Sequence, residues 1–501
     1  MNKNFSKNII NLFKSWENHD VNYCHWKSTN HLEASYLVLT DLDVLIDRSD
    51  TYRAISLALN QGFVELKSSH FRGYPAVRDF IKYDKEKEKW IHLHFHTQLS
   101  SGDRWVKAYH LPFEKYILRD RIFDKDYNSW TISPSYELLI LIYRMNAKFR
   151  KNWLKDKKII EEVVFIQKRI KKYNYYLDDK IEGYIGLSGV NLLKDLANGK
   201  DLSKIKEREI RKAFSKNQFR RITFTRFFCF SKLRYLYRIY TEFNRRIRKD
   251  YSSGRRTLPN GGMIITFVGI DGSGKSSGIE RIRHFFGKHM NVQTNFLGSG
   301  KSGAGFMRRM IMNVVGFKAK SKGHKEARKI GKQKMKDVTK IKKPPIFYIL
   351  WTWLVTKDRE RQLKQIQRGL GNGNLILVDR WLQDGRLDAA DAPRLINYVS
   401  FNGFLGMVAR REKKLFDKIK LIPLHQVLKL NITPEISVKR KPGELTIEKA
   451  EESIRKLNLL EWPEETNVVN IDGKQCIADV TNKIKQAIFD CLQKETNCFE
   501  K

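Results

Sequence analysis

Hydrophobic and polar positions along the chain follow two periods, and together they predict an α/β protein. Short, largely apolar runs predict strands at Leu42–Ile46, residues 90–95, Met263–Val268 and residues 375–378. Apolar residues spaced three and four positions apart predict helices in residues 134–142, 159–166 and 279–286. Strands and helices therefore recur along the whole chain.

Changes in this pattern divide the 501 residues into four predicted segments, since a chain of this length exceeds one compact core. Residues 1–120 mix strands with amphipathic helices, and residues 121–210 are predicted to be helical. Residues 211–261 are basic and aromatic and end in the turn-forming sequence LPNGG. Residues 262–501 begin with an apolar strand.

Charge and cysteine content add a constraint on partners and compartment. The net charge of +41 indicates a polyanionic neighbour: nucleic acid, an anionic membrane surface or a phosphorylated substrate. Five cysteines without a CxxC pair argue against a disulfide framework. With no secretory leader and no apolar run of ~20 residues, we expect a cytoplasmic protein, with peripheral contact at the inner membrane face as an option.

The strongest chemical signal is the sequence GIDGSGKS, which fits the phosphate-binding pattern GxxxxGK[ST] between an apolar strand and a helix. Glycines let backbone N–H groups approach phosphate oxygens, and the helix N-terminus adds a positive field. Lys275 is expected to reach the β- and γ-phosphates of ATP, and Ser276 to ligate magnesium. The predicted nucleotide-binding residues are Gly269, Asp271, Gly272, Ser273, Gly274, Lys275, Ser276 and Ser277.

Residues 262–501 resemble the thymidylate kinase family, with its motifs in the expected order. GIDGSGKSS is similar to that family's loop, and Asp379-Arg380-Trp381 after a strand is similar to its Asp-Arg-Tyr motif. Thr433-Pro434-Glu435 follows a strand-like run, and Arg440 stands where the family carries a lid arginine. The resemblance implies a P-loop NTPase fold, in which helices flank a parallel sheet, and an ATP- and Mg²⁺-dependent kinase.

Three side chains beyond the loop are therefore candidates for catalysis together with Lys275. Asp379 at a strand end is expected to hold Mg²⁺, directly or through water. Arg380 is expected to bridge donor and acceptor phosphates, since guanidinium matches phosphate bidentately. Arg440 is expected to close over the γ-phosphate. The alternatives are a structural ion pair for Asp379-Arg380 and a solvated basic surface for Arg440.

One segment departs from the family. After its second strand, thymidylate kinase has an acidic Pro-Gly-Gly segment that meets the nucleotide acceptor, whereas this chain has FLGSGKSG at residues 296–303. A glycine-rich loop without acid or proline suggests an anionic acceptor other than dTMP.

The N-terminal segment resembles the nucleotidyltransferase fold through Trp26-Lys27-Ser28 and the strand-borne aspartates Asp41 and Asp43. Aspartates at i and i+2 of a strand share one face and can hold magnesium together. Ser28 would lie in the phosphate-binding loop. The family's third carboxylate falls at His92, and imidazole is a poor magnesium ligand. This half is predicted to be a degenerate or altered site, and His92, His94 and His96 alternatively suggest a transition-metal site or structural histidines.

Between residues 219 and 249, aromatics and arginines interleave at helical spacing and predict a connector helix with a cationic face. This helix could contact an anionic membrane, follow a nucleic-acid backbone, or pack on a domain with its basic face in solvent.

The whole arrangement resembles thymidylate-kinase-like proteins of bacterial surface-polysaccharide gene clusters. We expect an ATP-dependent phosphotransferase whose acceptor is a sugar or a lipid-linked glycan. The alternatives are a nucleoside monophosphate kinase of altered specificity and a nucleic-acid-associated NTPase.

Overall fold

The computed structural model describes residues 4–69, 71–102, 105–147, 153–214, 219–300, 304–305, 308–310, 343–383, 392–443 and 445–497. The chain forms two compact units. The first unit comprises Met1–Arg246 with Gln493–Lys501, and the second comprises Ile247–Leu492. The finer division into four segments stays a prediction.

The first unit contains a mixed seven-stranded sheet, a two-stranded sheet and a set of helices. Its strands are β1 (Tyr23–His25), β2 (Leu42–Ile46), β3 (Val64–Leu66), β4 (Val77–Asp84), β5 (Lys89–His96), β6 (Leu99–Ser101), β7 (Tyr109–Leu111), β8 (Ile122–Asp124) and β9 (Ser129–Thr131). The large sheet has the order β3-β4-β5-β2-β1-β9-β8, and β6 pairs with β7. In the large sheet β2 runs parallel to β5, and β4 runs antiparallel to β5.

Helices cover this sheet and continue beyond it. They are α1 (Lys7–Asn18), α2 (Leu32–Tyr36), α3 (Thr51–Asn60), α4 (Glu114–Arg119), α5 (Pro134–Ala147), α6 (Lys157–Tyr173), α7 (Asp179–Ala197), α8 (Glu207–Ala213) and α9 (Phe224–Arg246). One buried core packs α1 and α3 against the strands, and a second is built around α5, α6 and α7. Helix α5 is buried along nearly its whole length, which fits its run of apolar residues.

The second unit is a parallel five-stranded sheet with helices. Its strands β10 (Met263–Val268), β11 (Val292–Phe296), β12 (Leu375–Asp379), β13 (Gln426–Asn431) and β14 (Asn467–Asp472) have the order β11-β12-β10-β13-β14. Its helices are α10 (Lys275–Phe286), α11 (Ile346–Gly371), α12 (Gly403–Lys420), α13 (Pro434–Arg440), α14 (Ile447–Asn458) and α15 (Ile477–Asn497). The structure confirms the predicted α/β fold class, with a parallel sheet flanked by helices.

The central strand of this sheet places the phosphate-binding loop. All six residues of β10 are buried, as the apolar run MIITFV predicts, between β12 and β13. Because the strands are parallel, their carboxyl ends meet at one edge, and ligands of open α/β sheets bind there. Residues 269–274, Asp379 and the start of α13 all lie at this edge.

The predicted connector helix is α9. Several of its arginines face the protein, whereas one alternative from the sequence placed the basic face in solvent. Arg234 and Arg238 contact the rest of the first unit, and Arg245 is buried. Large apolar side chains of α9 are exposed instead. Among the described residues, no helix is both long and apolar enough to cross a membrane.

Candidate functional site

The loop between β10 and α10 has the backbone that its glycines predict. Gly274, directly before α10, has φ +92°, a left-handed conformation that side chains disfavour. A Cβ on Gly269 would lie 2.6 Å from Ser273 Oγ and 2.8 Å from Leu430 O. Glycine is therefore required at one position by conformation and at the other by close packing.

Lys275, the first residue of α10, is folded into this loop. Its Nζ donates hydrogen bonds to Gly269 O at 2.9 Å and to Ile270 O at 2.8 Å. Ser273 is buried beneath the loop. An ammonium held at the loop by carbonyl oxygens can exchange those bonds for phosphate oxygens when an anion enters.

Ser276 and Asp379, each predicted from the sequence to hold magnesium, meet at the strand edge. Ser276 Oγ donates to Asp379 Oδ2 at 2.9 Å. Asp379 is 9% exposed, and its Oδ1 accepts no hydrogen bond from the described residues. A buried carboxylate oxygen without a donor is a hard ligand in need of a cation, so these residues fit Mg²⁺.

The structure places Arg380 beside the loop. Its Nη2 donates to Asp271 Oδ1 at 2.9 Å, and its backbone has φ +70°, an uncommon conformation for a residue with a long side chain. Strained backbone is held only where the surroundings fix it, and it recurs at functional sites. Arg380 therefore pairs with one of the predicted nucleotide-binding residues rather than pointing away from them.

Arg440, at the end of α13, also contacts the loop. Its Nη1 donates to Gly272 O at 3.2 Å and its Nη2 to Gly473 O at 3.0 Å. On the same helix, Ser437 Oγ donates to Asp271 O at 2.6 Å. The predicted lid arginine thus contacts one carbonyl of the loop and one directly after β14, and its closure over a γ-phosphate stays a prediction.

These side chains surround a cavity of about 510 Å³. Residues 271–278 of the loop and helix line it, Ser277 among them, and Phe296 lies on its wall at the end of β11. Its cationic lining is Lys275, Arg281, Arg380, Arg440 and Lys441, and its acidic lining is Asp271 and Asp379. Five cations against two carboxylates favour a strongly anionic ligand, and the volume suits a nucleotide-sized one. Sequence reasoning had missed Arg281 and Lys441, whose positions no motif marks.

The first unit collects a second cluster on one face of its sheet. In the strand register, His94 of β5 stands opposite Asp43 of β2 and opposite Asp79 of β4. His94 Nδ1 is 3.2 Å from Asp43 Oδ1, and its Nε2 is 3.3 Å from Asp79 Oδ1. His92 also lies between two aspartates: its Nδ1 is 3.1 Å from Asp41 Oδ1, and its Nε2 is 3.3 Å from Asp79 Oδ1.

Two further side chains complete this cluster at Asp43. Lys27 Nζ lies 2.6 Å from Asp43 Oδ1, and His96 Nε2 lies 3.0 Å from the same oxygen. Burial by itself would raise the pKa of Asp43, but Lys27 and the hydrogen bonds from His94 and His96 hold that pKa well below its usual range. Burial lowers the pKa of His96 to about 4, so His96 is neutral near pH 7.

The residues predicted for a nucleotidyltransferase-like site are brought together only in part. Asp41, Asp43 and His92 lie in the cluster, whereas Ser28 Oγ donates to Glu162 Oε1 at 3.1 Å and no described contact joins it to the aspartates. Asp79 was missed, because the pairing of β4 with β5 is not visible in the sequence. With imidazoles among the carboxylates, the set does not fit the Mg²⁺ that the resemblance implied.

Comparisons with known proteins add a likeness of fold. No protein-family model and no curated protein matches the sequence. Among solved structures, the thymidylate kinase of Ehrlichia chaffeensis matches with 16% identity and a TM-score of 0.23, over 46% of this chain and 98% of that one. The argument for function therefore rests on the residues of the site.

Proposed function

We propose that the second unit is an ATP- and Mg²⁺-dependent phosphotransferase whose acceptor is a sugar or a lipid-linked glycan rather than dTMP. The observation that carries the proposal is the hydrogen bond from Ser276 to Asp379 directly after a glycine-rich loop, with a buried carboxylate oxygen left for a cation. Phosphoryl transfer depends on positioning and charge neutralisation, and these residues supply both.

Each side chain has a distinct part in this reaction. An acceptor hydroxyl oxygen forms a bond to the γ-phosphorus as the bond from that phosphorus to the β–γ bridging oxygen breaks, ADP leaves, and the hydroxyl proton passes to solvent. Lys275 exchanges its carbonyl partners for phosphate oxygens and neutralises their charge. Arg380, fixed by Asp271, orients the phosphoryl group. Ser276 and Asp379 would hold Mg²⁺, which would supply neutralisation of phosphate charge.

Specificity against dTMP follows from the acceptor loop. Residues 296–300 contain no carboxylate and no proline; the loop continues at residues 301–303, which lie outside the described part of the chain. A Cβ on Gly298 would lie 2.7 Å from Phe296 Cζ and 3.0 Å from Arg380 Cδ, so the loop is packed closely beside the arginine. The described part of this loop therefore lacks the acidic residue and the proline of the segment with which, by the resemblance, thymidylate kinase meets its nucleotide acceptor.

The test is transfer of labelled γ-phosphate from ATP with Mg²⁺, with nucleoside monophosphates, sugars and membrane extract as acceptors. Lys275→Ala and Asp379→Asn should each lower transfer on the order of 100-fold or more, as expected for loss of a group that stabilises transition-state charge. Lys288→Ala and Asp417→Asn change exposed residues of the same unit and should leave the rate unchanged.

The acceptor panel separates the proposal from its rivals. A labelled nucleoside monophosphate would indicate a nucleotide kinase, and ATP hydrolysis stimulated by DNA or RNA would indicate a nucleic-acid-associated NTPase. If wild-type protein neither binds nor turns over ATP with any acceptor, the proposed function is wrong.

A further inference from the structure

We propose that the histidine–aspartate cluster of the first unit binds one divalent transition-metal ion, with Asp41, His92 and His94 as its protein ligands. One ligand atom from each of these residues lies within 4.8 Å of the others. Two imidazoles and a carboxylate are the ligand set that zinc and its neighbours in the first transition row prefer over magnesium. The site is separate from the phosphate-binding loop and from the activity proposed for it.

The arrangement of proton donors around the imidazoles calls for a cation. His92 lies between oxygens of Asp41 and Asp79, and His94 lies between oxygens of Asp43 and Asp79. A neutral imidazole has one N–H, so it can satisfy only one of two carboxylate neighbours. When each imidazole donates to Asp41 or Asp43 through Nδ1, the Nε2 lone pair faces Asp79 Oδ1 at 3.3 Å. A metal ion resolves this repulsion.

The charge of the cluster also favours a bound cation. Carboxylates of Asp41, Asp43 and Asp79 gather on this sheet face, and Lys27 contacts the one of Asp43. Side chains of His92 and Asp79 are only 4% and 7% exposed, so uncompensated charge is costly here. A divalent ion cancels it.

The choice of ligands follows from what each aspartate already contacts. Asp43 already has a cationic partner, because Lys27 Nζ lies 2.6 Å from its Oδ1, so we do not assign it as a metal ligand. Asp41 has a 51% exposed side chain, which gives an ion a path from solvent and leaves one side open to water or an anion. Asp79 stands behind both imidazoles, where a carboxylate orients ligating histidines.

The experiment uses untagged full-length protein, stripped with chelator, with Zn²⁺ measured by mass spectrometry after dialysis and Co²⁺ absorption as the probe of geometry. We expect about one ion per chain. Asp41→Asn and His92→Asn should each lower affinity at least ~10-fold, and Asp79→Asn should lower it ~10- to 100-fold. His19→Asn, in an exposed residue outside the cluster, should leave binding unchanged.

Three outcomes would overturn the assignment. In the first, the protein retains no ion and gives no Co²⁺ ligand-field spectrum. That result would mean that the imidazoles carry a second proton instead of binding a metal. Another is binding abolished by His96→Asn but untouched by Asp41→Asn, which would place the ion at Asp43. A third is binding unaffected by every cluster variant. Because Asp41 is half-exposed, Asp41→Asn keeps the test valid even if a buried histidine variant fails to fold.

Helix α9 packs its polar side against the rest of the first unit. Arg234 donates to Trp105 O and Gly73 O, each at 3.0 Å, and the Arg238 guanidinium lies 4.9 Å from the centre of the Trp105 ring. Thr241 is fully buried. The outward side is apolar, with each of these residues at least 42% exposed: Phe224, Phe228, Phe230, Leu233, Tyr235, Leu236, Ile239, Tyr240 and Phe243.

We infer that this face of α9 docks on an anionic phospholipid surface. Arg226, Lys232 and Arg246 of α9 are exposed beside these apolar side chains and carry positive charge on the outward side of the helix. A helix with aromatic and aliphatic side chains flanked by cations is built for the membrane interface, where lipid tails cover the first and headgroup phosphates bind the second.

Vesicle co-sedimentation tests this surface. Full-length protein should bind phosphatidylserine–phosphatidylcholine vesicles at least ~10-fold better than pure phosphatidylcholine, and less in high salt. Leu236→Glu with Tyr240→Glu should abolish binding, whereas Val164→Glu, in an exposed apolar residue of α6, should not. Binding unaffected by the double variant would overturn the inference. Dimerisation through α9 in the absence of vesicles would also overturn it. So would a wild-type protein that binds no vesicles together with a double variant that is less stable than the wild type.

Discussion

Ser276 and Asp379 are small side chains on different elements, and their 2.9 Å contact depends on β10 and β12 being neighbours. The residues were predictable from the motif, but the pairing that joins them was not. Asp379 accepts the Ser276 hydrogen bond at one carboxylate oxygen, and its other oxygen accepts none from the described residues. The serine hydroxyl therefore positions the carboxylate, and its role as a magnesium ligand stays a prediction.

Ser276→Ala should weaken magnesium use more than nucleotide binding. Loss of a hydrogen bond to a charged group costs about 1.5–3 kcal/mol, so half-saturating Mg²⁺ should rise roughly 10- to 100-fold. The measurement is the Mg²⁺ dependence of phosphoryl transfer at saturating ATP. Ser453→Ala, in an exposed serine of α14, is the matched control. An unchanged Mg²⁺ requirement would contradict the role given to Ser276.

His25 of β1 offers a test of stability against pH. Burial lowers the pKa of His25 to about 4 from an ordinary 6.5, despite the nearby Asp43 charge, so the unfolded chain binds a proton before the folded chain does. The stabilisation is complete above pH ~6.5 and is lost as the pH falls toward 4. Between pH 7 and 5, His25 should cost up to about 2 kcal/mol of the free energy of unfolding.

Denaturant titrations at both pH values measure this loss. His25→Leu should reduce the difference, because leucine does not titrate, whereas His19→Leu in an exposed residue should leave it as in the wild type. Equal pH dependence in all three proteins would show that His25 is not the source.

At the scale of elements, the turn between β10 and α10 depends on backbone conformation more than on space. A Cβ on Gly274 would meet no atom within 4 Å, yet φ is +92° there. Gly371 at the end of α11 also has open space around it, without a positive φ. The two glycines therefore separate conformational strain from crowding.

Gly274→Ala should destabilise the second unit by about 1–2 kcal/mol, the cost of a left-handed residue with a side chain. Gly371→Ala should be neutral or stabilising by about 0.5–1 kcal/mol, because alanine favours the helix. Thermal unfolding of both variants measures the difference. Equal midpoints would mean that the loop adopts another conformation at Gly274.

The same scale shows which elements the sequence could predict. Largely apolar runs predicted β2 and β10 with their observed bounds, because four buried residues in β2 and six in β10 form a clear pattern. β8 and β9 lie in the segment predicted to be helical and have three residues each, too few to show a period. Asp79 was missed for a related reason: its neighbours are set by strand pairing, and pairing partners are distant in sequence.

At the scale of the whole molecule, the chain has two compact units, and each has its own candidate site. The phosphate-binding loop belongs to the second unit, and the histidine–aspartate cluster to the first. The sequence predicted both sites in outline. It could not predict which face of α9 is packed, because the spacing of arginines and aromatics fits either orientation.

Calorimetry should resolve two thermal transitions, and a non-hydrolysable ATP analogue with Mg²⁺ should raise only one. A ligand at 100 times its Kd stabilises the unit that binds it by about 2.7 kcal/mol. Lys275→Ala should abolish that shift and leave the other transition unaffected. A single transition that shifts as a whole would contradict independent unfolding of the units.

Strand β5 has a consequence for the fidelity of folding. Ile91, Leu93 and Phe95 point into the core, and the three histidines alternate with them on the opposite face. A slip of one residue against β2 would exchange the two sets, placing three imidazoles in the apolar core and the core side chains beside the carboxylates of Asp43 and Asp79. A misaligned β5 is thus destabilised on both of its faces. A single-residue insertion between β4 and β5 should therefore lengthen their turn and leave the register of β5 unchanged.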